Sequence, residues 1–347
     1  LIYEGITVYG GFSADNPEAN PEERIVLDAD GTTERTISEA KGLKWRMKNT
    51  TILSGNHSSS STDPMKWNSA KNEYDESFTG NSYHVVWFAT NTSTHSSGLD
   101  TKNRGVALAH TAGLDGFTIR DGNASNRTVP EQTDGSHAYH NSYGGGAYMV
   151  GNTVLRNCII RQNSSSLRGG GVYMDGGGLM EQCYVTQNQS GGVGVTDGYG
   201  GGVACDDGGI VRHCLIENNA ARCGGGLSIA FSSQPANDKA RYASFATGCV
   251  VNNNTSSAEA GGVFMKNGGL LNHLTITCNN CVGAGVVYNN RRYGRSGGLY
   301  VDGGGMVTNS VIWGNEVAAN NNVQYATYRE NASTPKVKLD FVALSKY

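Results

Sequence analysis

The sequence predicts an all-β chain: a right-handed, single-stranded parallel β-helix, a solenoid of about eight coils with long loop insertions. Three observations predict it. A segment that opens on apolar residues and closes on Asn recurs along the chain. A glycine cluster leading into a short apolar strand recurs between these segments. Within both, apolar residues alternate with polar ones at the two-residue period of a strand.

The closing segments are 154–163 (VLRNCIIRQN), 179–188 (LMEQCYVTQN), 210–219 (IVRHCLIENN), 245–254 (FATGCVVNNN), 270–279 (LLNHLTITCN) and 306–315 (MVTNSVIWGN). The glycine-led strands read GGGVYM from Gly169, GGGVAC from Gly200, GGGLSI from Gly224, GGVFM from Gly261 and GGLYV from Gly297. A looser copy at 114–119 is followed by GGGAYM from Gly144. The period runs from about 25 to about 40 residues, as in solenoids with inserted loops. Helical solenoids of that period need uninterrupted helix formers, which these Gly-rich coils lack.

Aligned by position, the repeats form columns. Ile119, Ile160, Val185, Ile216, Val251, Ile276 and Ile312 are always β-branched and point inward, and Phe117, Cys158, Cys183, Cys214, Cys249, Leu274 and Ser310, two positions earlier, point inward too. Arg120, Arg161, Thr186, Glu217, Asn252, Thr277 and Trp313 follow the first column and mostly face water. Stacked coils thus bury a core that no single coil could bury alone. Asn163, Asn188, Asn219, Asn254 and Asn315 sit at a turn, where Asn tolerates left-handed backbone and stacked amides can bond from coil to coil. At roughly 4.8 Å per coil the rod is on the order of 40 Å long.

The whole chain, 1–347, reads as one domain. Residues 1–110 form irregular N-terminal coils, with strands at 6–12, 25–27, 51–56, 83–89 and 106–109 and polar insertions at 13–24 and 57–82. Residues 111–316 are the regular repeats, and 317–347 form a C-terminal cap or tail that covers the solenoid end. Composition narrows the class. With 49 Gly but only 6 Pro the chain is not collagen. Lys plus Arg (27) nearly balances Asp plus Glu (30), so no basic surface for nucleic acid is expected. No apolar run reaches the roughly 18 residues of a membrane span. The opening residues, 1–10, lack an initiator Met and read as a strand, so a processed or excised piece is expected, with export signal and anchor elsewhere.

The GGGVYM-type strands and the Cys-x-Ile/Val-x-x-Asn segments resemble the repeats of bacterial right-handed β-helix surface proteins of the pectin-lyase-like superfamily, polymorphic outer-membrane-protein repeats included. VYGGF at Val8, TILSGN at Thr51, LDGFTI at Leu114 and NSVIWGN at Asn309 resemble segments of secreted β-helix proteins of Bacteroidetes. The resemblance covers most of the chain. It implies export to the extracellular space or the outer-membrane surface, within a larger surface protein or complex. It does not imply one activity, since this superfold hosts lyases, hydrolases, adhesins and phage spikes.

Candidate site residues follow from the columns and loops. The four in-line cysteines read as small buried hydrophobes, poorly placed for disulfides. Cys278 and Cys281 form a lone Cys-x-x-Cys, which suits a local disulfide or two free thiols better than zinc. Asp175, Asp206, Asp207 and Asp302 follow the glycine-led strands and are candidates for Ca²⁺ or for acid–base work, but they lead into glycines, as turn residues do. The Gly-His-Gly and Arg-Ile-Lys segments that accompany catalytic Asp pairs in pectin hydrolases have no match here. His213 and His273 share a column with Asn157, Gln182, Gly248 and Asn309, read as a solvated polar ladder.

Three insertions, 124–143, 189–199 and 280–296, leave the rod at one corner just after the Asn column. They carry the ligand-binding candidates His137, Tyr139, His140, Tyr143, Tyr199, Tyr288, Arg291, Arg292, Tyr293 and Arg295. Aromatic faces stack on sugar rings and Arg forks hold carboxylates or sulfates. The leading expectation is adhesion or glycan binding without catalysis, the partner being a glycan or a host or neighbouring-cell surface. The alternatives are a carbohydrate-active enzyme, a polysaccharide lyase or glycoside hydrolase, and a structural spacer.

Overall fold

The computed structural model describes residues 2–3, 6–42, 44–56, 67–68, 73–74, 81–82, 84–89, 112–124, 142–191, 198–230, 244–283, 287–288, 291–292, 296–318, 323, 325–328 and 337–344. The chain is a parallel β-helix solenoid. Among the described residues three parallel sheets run along the rod, and successive rungs add strands to them in register. The first, glycine-led sheet has nine strands, from Ile2–Tyr3 and Val86–Ala89 through Ala147–Val150, Val172–Asp175, Val203–Asp206, Leu227–Ala230, Val263–Lys266 and Leu299–Asp302 to Tyr325–Tyr328. The second has sixteen strands, because most rungs enter it twice, as with Leu179–Glu181 and Tyr184–Thr186. The third is made of seven short strands, Asn123–Ala124, Ser164–Ser165, Gln189–Ser190, Ala220–Cys223, Thr255–Glu259, Asn280–Cys281 and Glu316–Val317.

The expected columns stack. Ile119, Ile160, Val185, Ile216, Val251, Ile276 and Ile312 are direct register partners from rung to rung. All are fully buried, as is nearly all of the Cys column beside them. Burying a side chain of this size contributes roughly 1.5–3 kcal/mol. The following column is outward and half-exposed, except that Thr186 is buried and Trp313 is exposed. All eight cysteines are free, and Cys278 alone is exposed. In the column, each thiol donates to the carbonyl two residues back, as Cys158 Sγ does to Arg156 O at 3.1 Å.

The Asn column bears out one of its two expected roles, the coil-to-coil amide bonds, and not the other. The left-handed residue is the one before each Asn, namely Gln162, Gln187, Asn218, Asn253, Cys278 and Gly314. The Asn side chains form the expected ladder of stacked amides, buried, and it also includes Asn279. Nδ2 of Asn163, Asn188, Asn219, Asn254 and Asn279 donates to Oδ1 of the next Asn at 2.9–3.0 Å. That same oxygen accepts the backbone N–H of the preceding Asn, as Asn219 Oδ1 does from Asn188. The ladder joins partners 25 to 36 residues apart, so it holds across rungs of different length. The His213 and His273 column is a second left-handed turn column: Asn157, Gln182, His213, Gly248, His273 and Asn309 all have φ between 48° and 62°. Its polar character follows from that backbone, not from chemistry.

Further corrections concern the ends and the corner. Ile25–Leu27 is a strand, as expected, but not a rung of the solenoid. It pairs antiparallel with Glu34–Thr36 in an insertion that splits the first rung between Thr7–Tyr9 and Thr51–Ser54. The C-terminal stretch loses the sequence repeat yet supplies the last rung, with Tyr325–Tyr328 on Leu299–Asp302 and Val337–Leu344 on Gly305–Trp313. The long insertions leave after the short third sheet, not directly after the Asn column. Residues 106–109 lie outside the described residues.

The glycine clusters let rungs approach at the corner. A Cβ on Gly201 would lie 2.2 Å from the carbonyl oxygen of Ala220 and 2.4 Å from that of Gly225, both backbone atoms. Gly201→Ala is therefore expected to cost at least about 1–3 kcal/mol, read as a lower denaturation midpoint. An unchanged midpoint would mean that the rungs are not this close.

Candidate functional site

The residue before each glycine cluster forms a corner column. Tyr143, Arg168, Tyr199 and Cys223 pair rung to rung through isolated parallel bridges. The Arg168 guanidinium lies between the two tyrosines, 6.0 Å from the Tyr143 ring and 5.6 Å from the Tyr199 ring. Tyr143, Arg168 and Tyr199 are all half-exposed. Backbone register holds them, so the spacing of the two rings is set by two rungs, roughly 10 Å.

Behind this column the outward face of the glycine-led sheet carries an aromatic seam. Trp87, Tyr148 and Tyr173 are register partners on successive rungs, and Phe264 and Tyr300 are partners further along. The rings touch in sequence: Trp87 to Tyr148 at 6.4 Å, Tyr148 to Tyr173 at 5.2 Å, Tyr173 to Tyr143 at 4.8 Å. Beyond Arg168 the run resumes with Tyr199 to Phe264 at 5.3 Å and Phe264 to Tyr300 at 5.7 Å. Tyr148, Tyr173, Phe264 and Tyr300 are buried, whereas Trp87 at one end of the seam and the corner residues are half-exposed. His84 packs edge-on against Tyr148, and its Nδ1 lies 3.0 Å from the Gly144 carbonyl, so Nδ1 carries the proton. Burial pushes its pKa below the usual imidazole value.

Among the acidic candidates the turn reading holds for Asp207, which has left-handed backbone at φ 58° after the strand Val203–Asp206. Asp175 and Asp206 close strands and are register partners with buried side chains. Tyr148 Oη donates to Asp175 Oδ2 at 3.2 Å and Tyr173 Oη to Asp206 Oδ2 at 3.0 Å. Arg168 Nη1 makes an ion pair with that same Asp206 oxygen. Burial pushes the Asp206 carboxyl above its usual range while Arg168 draws it back. The two phenols are pushed well up, chiefly by burial, with the neighbouring carboxylates adding to it. Asp302 is separated from Asp206 by the Ala230 and Lys266 rungs, so the four Asp residues do not converge. Among the described residues no group of three or more His, Cys, Asp or Glu is placed to hold a metal ion.

Of the loop candidates, Tyr143 and Tyr199 are brought together around Arg168. His137, Tyr139, His140, Tyr293 and Arg295 lie outside the described residues. Tyr288, Arg291 and Arg292 are described in backbone only, as an antiparallel pair of Val287–Tyr288 with Arg291–Arg292. Sequence reasoning missed Arg168, although it precedes GGG as Tyr143 and Tyr199 do. Among the described residues no helix is long and apolar enough to cross a membrane. The chain matches no protein-family model, no curated protein and no solved structure.

Proposed function

We propose that this chain is an exported bacterial surface β-helix whose corner column contacts glycans, for adhesion, without cleaving them. The observation that carries the reading is the half-exposed Tyr143–Arg168–Tyr199 column, fixed by rung register on a rigid scaffold. Rings held without loss of rotamer freedom bind a sugar face at low entropic cost. Non-catalytic contact fits the state of the acids: Asp206 Oδ2 already accepts from Tyr173 and pairs with Arg168, and Asp175 accepts from Tyr148. A general acid or base needs a carboxyl free to reach a substrate proton.

The full chain should show saturable binding on a glycan array with no release of sugar. Tyr143→Ala and Tyr199→Ala should each weaken that binding on the order of tenfold, about 1.4 kcal/mol, with little change in melting. Failure to bind any glycan would favour a spacer. Release of unsaturated sugars with new ultraviolet absorbance would overturn the non-catalytic reading.

A further inference from the structure

We infer that the corner column selects uncharged glycans over uronate-bearing or sulfated ones, with Asp206 as the residue that sets this choice; the inference rests on the glycan-contact reading above. An arginine between two tyrosines looks like an anion receptor, because a free guanidinium fork matches a carboxylate or a sulfate. Arg168 is not free. Its Nη1 is paired with Asp206 Oδ2, and Asp206 is itself buried behind the column.

The surrounding charge points the same way. Asp207 follows Asp206 directly, and Asp175 is the register partner of Asp206 on the adjacent rung; all three are buried. The guanidinium therefore pairs with Asp206, and the buried Asp175 carboxyl stands behind that pair on the neighbouring rung. A ligand carboxylate or sulfate would have to compete with Asp206 for Arg168 and would meet like charge behind it. A neutral sugar meets neither obstacle. It can stack on Tyr143 and Tyr199 and accept hydrogen bonds from the N–H groups of Arg168 that Asp206 does not take. The side chain of Arg168 is 35% exposed, enough to present them.

The test is affinity electrophoresis of the full chain through gels carrying cellulose derivatives or mannan as neutral probes, and polygalacturonate or dextran sulfate as anionic ones. Retardation by a neutral probe, with none by the anionic pair at moderate salt, is expected. Raising NaCl from about 0.01 M to about 1 M should leave the neutral retardation within about twofold, because no ion pair with the ligand is screened. Asp206→Asn should release Arg168 and create binding to polygalacturonate or dextran sulfate at least about tenfold above the parent chain. Equal or stronger retardation of the parent by the anionic probes, abolished by salt, would overturn the inference and leave glycan contact standing. Retardation by none of the four would remove the glycan reading itself. The salt arm uses the unaltered chain, so the result does not depend on the stability of the Asp206→Asn variant.

Discussion

Asn219→Asp is expected to lower stability by about 3–5 kcal/mol at pH 7, and by appreciably less near pH 4. Asn219 lies mid-ladder and is fully buried. Its Nδ2 donates to Asn254 Oδ1 at 3.0 Å, to Val185 O at 3.0 Å and to Glu217 O at 2.9 Å. A carboxylate puts an oxygen where that NH₂ stood, facing three acceptors with no proton to offer them. The ionised form is then buried among oxygens, so the carboxyl resists ionisation and its folded pKa rises above the ordinary value near 4. A raised folded pKa means the native state binds more protons than the unfolded one, so the variant loses stability as pH rises through that window. Urea unfolding at several pH values checks this. A pH-independent penalty would show that the amides do not meet.

Arg24→Met is expected to cost about 3–5 kcal/mol, felt first as release of the insertion that splits the first rung. Arg24 is buried and pairs with Asp115 Oδ1 at 3.0 Å. Its Nη1 also donates to the carbonyls of Gly10 at 2.9 Å and Asp115 at 3.2 Å, and its Nε donates to Pro21 O at 2.6 Å. Removing it leaves the Asp115 carboxylate buried with only Asn157 Nδ2, at 2.9 Å, as a side-chain donor. The insertion is otherwise held by its own small core of Val26, Ile37, Ala40 and Met47, and by Trp45 stacked on Tyr184 at 5.9 Å. Trypsin should cut the variant at Lys41, Lys44 or Lys48 well before the rungs unfold. The double variant with Asp115→Asn should recover part of the loss, because no buried charge is left alone. Equal sensitivity of parent and Arg24→Met to trypsin would rule out this role for the pair.

How far the sequence could be read follows from which interactions repeat. The Ile and Cys columns were legible because inward side chains recur at a strand's period in every copy. The Asn column was legible as a position and as a coil-to-coil amide ladder, but its left-handed turn was placed one residue too late. Asn fits both a left-handed turn and an amide ladder, and only register shows the left-handed residue one place earlier. The third sheet was hidden because strands such as Ser164–Ser165 and Gln189–Ser190 have two residues and no apolar alternation. Docking of the N-terminal insertion was hidden because Arg24 and Asp115 stand 91 positions apart and occur once. At the candidate site Tyr143 and Tyr199 were legible as aromatics near glycine clusters. Asp206 was legible as a candidate acid but its partner Arg168 was not, since their pairing spans 38 positions and local turn chemistry masks it.

Electron–electron distances between paired spin labels test the stacking most directly. Arg156, Glu181, Arg212, Thr247, Asn272 and Thr308 form one outward column, each the partner of the next. With one label fixed at Arg156, the second moves from Thr247 to Asn272 to Thr308. The predicted backbone separations are about 14, 19 and 24 Å, a constant step of about 4.8 Å per rung whatever the length of chain between. Distances that follow sequence separation, or that show no constant step, would contradict the solenoid.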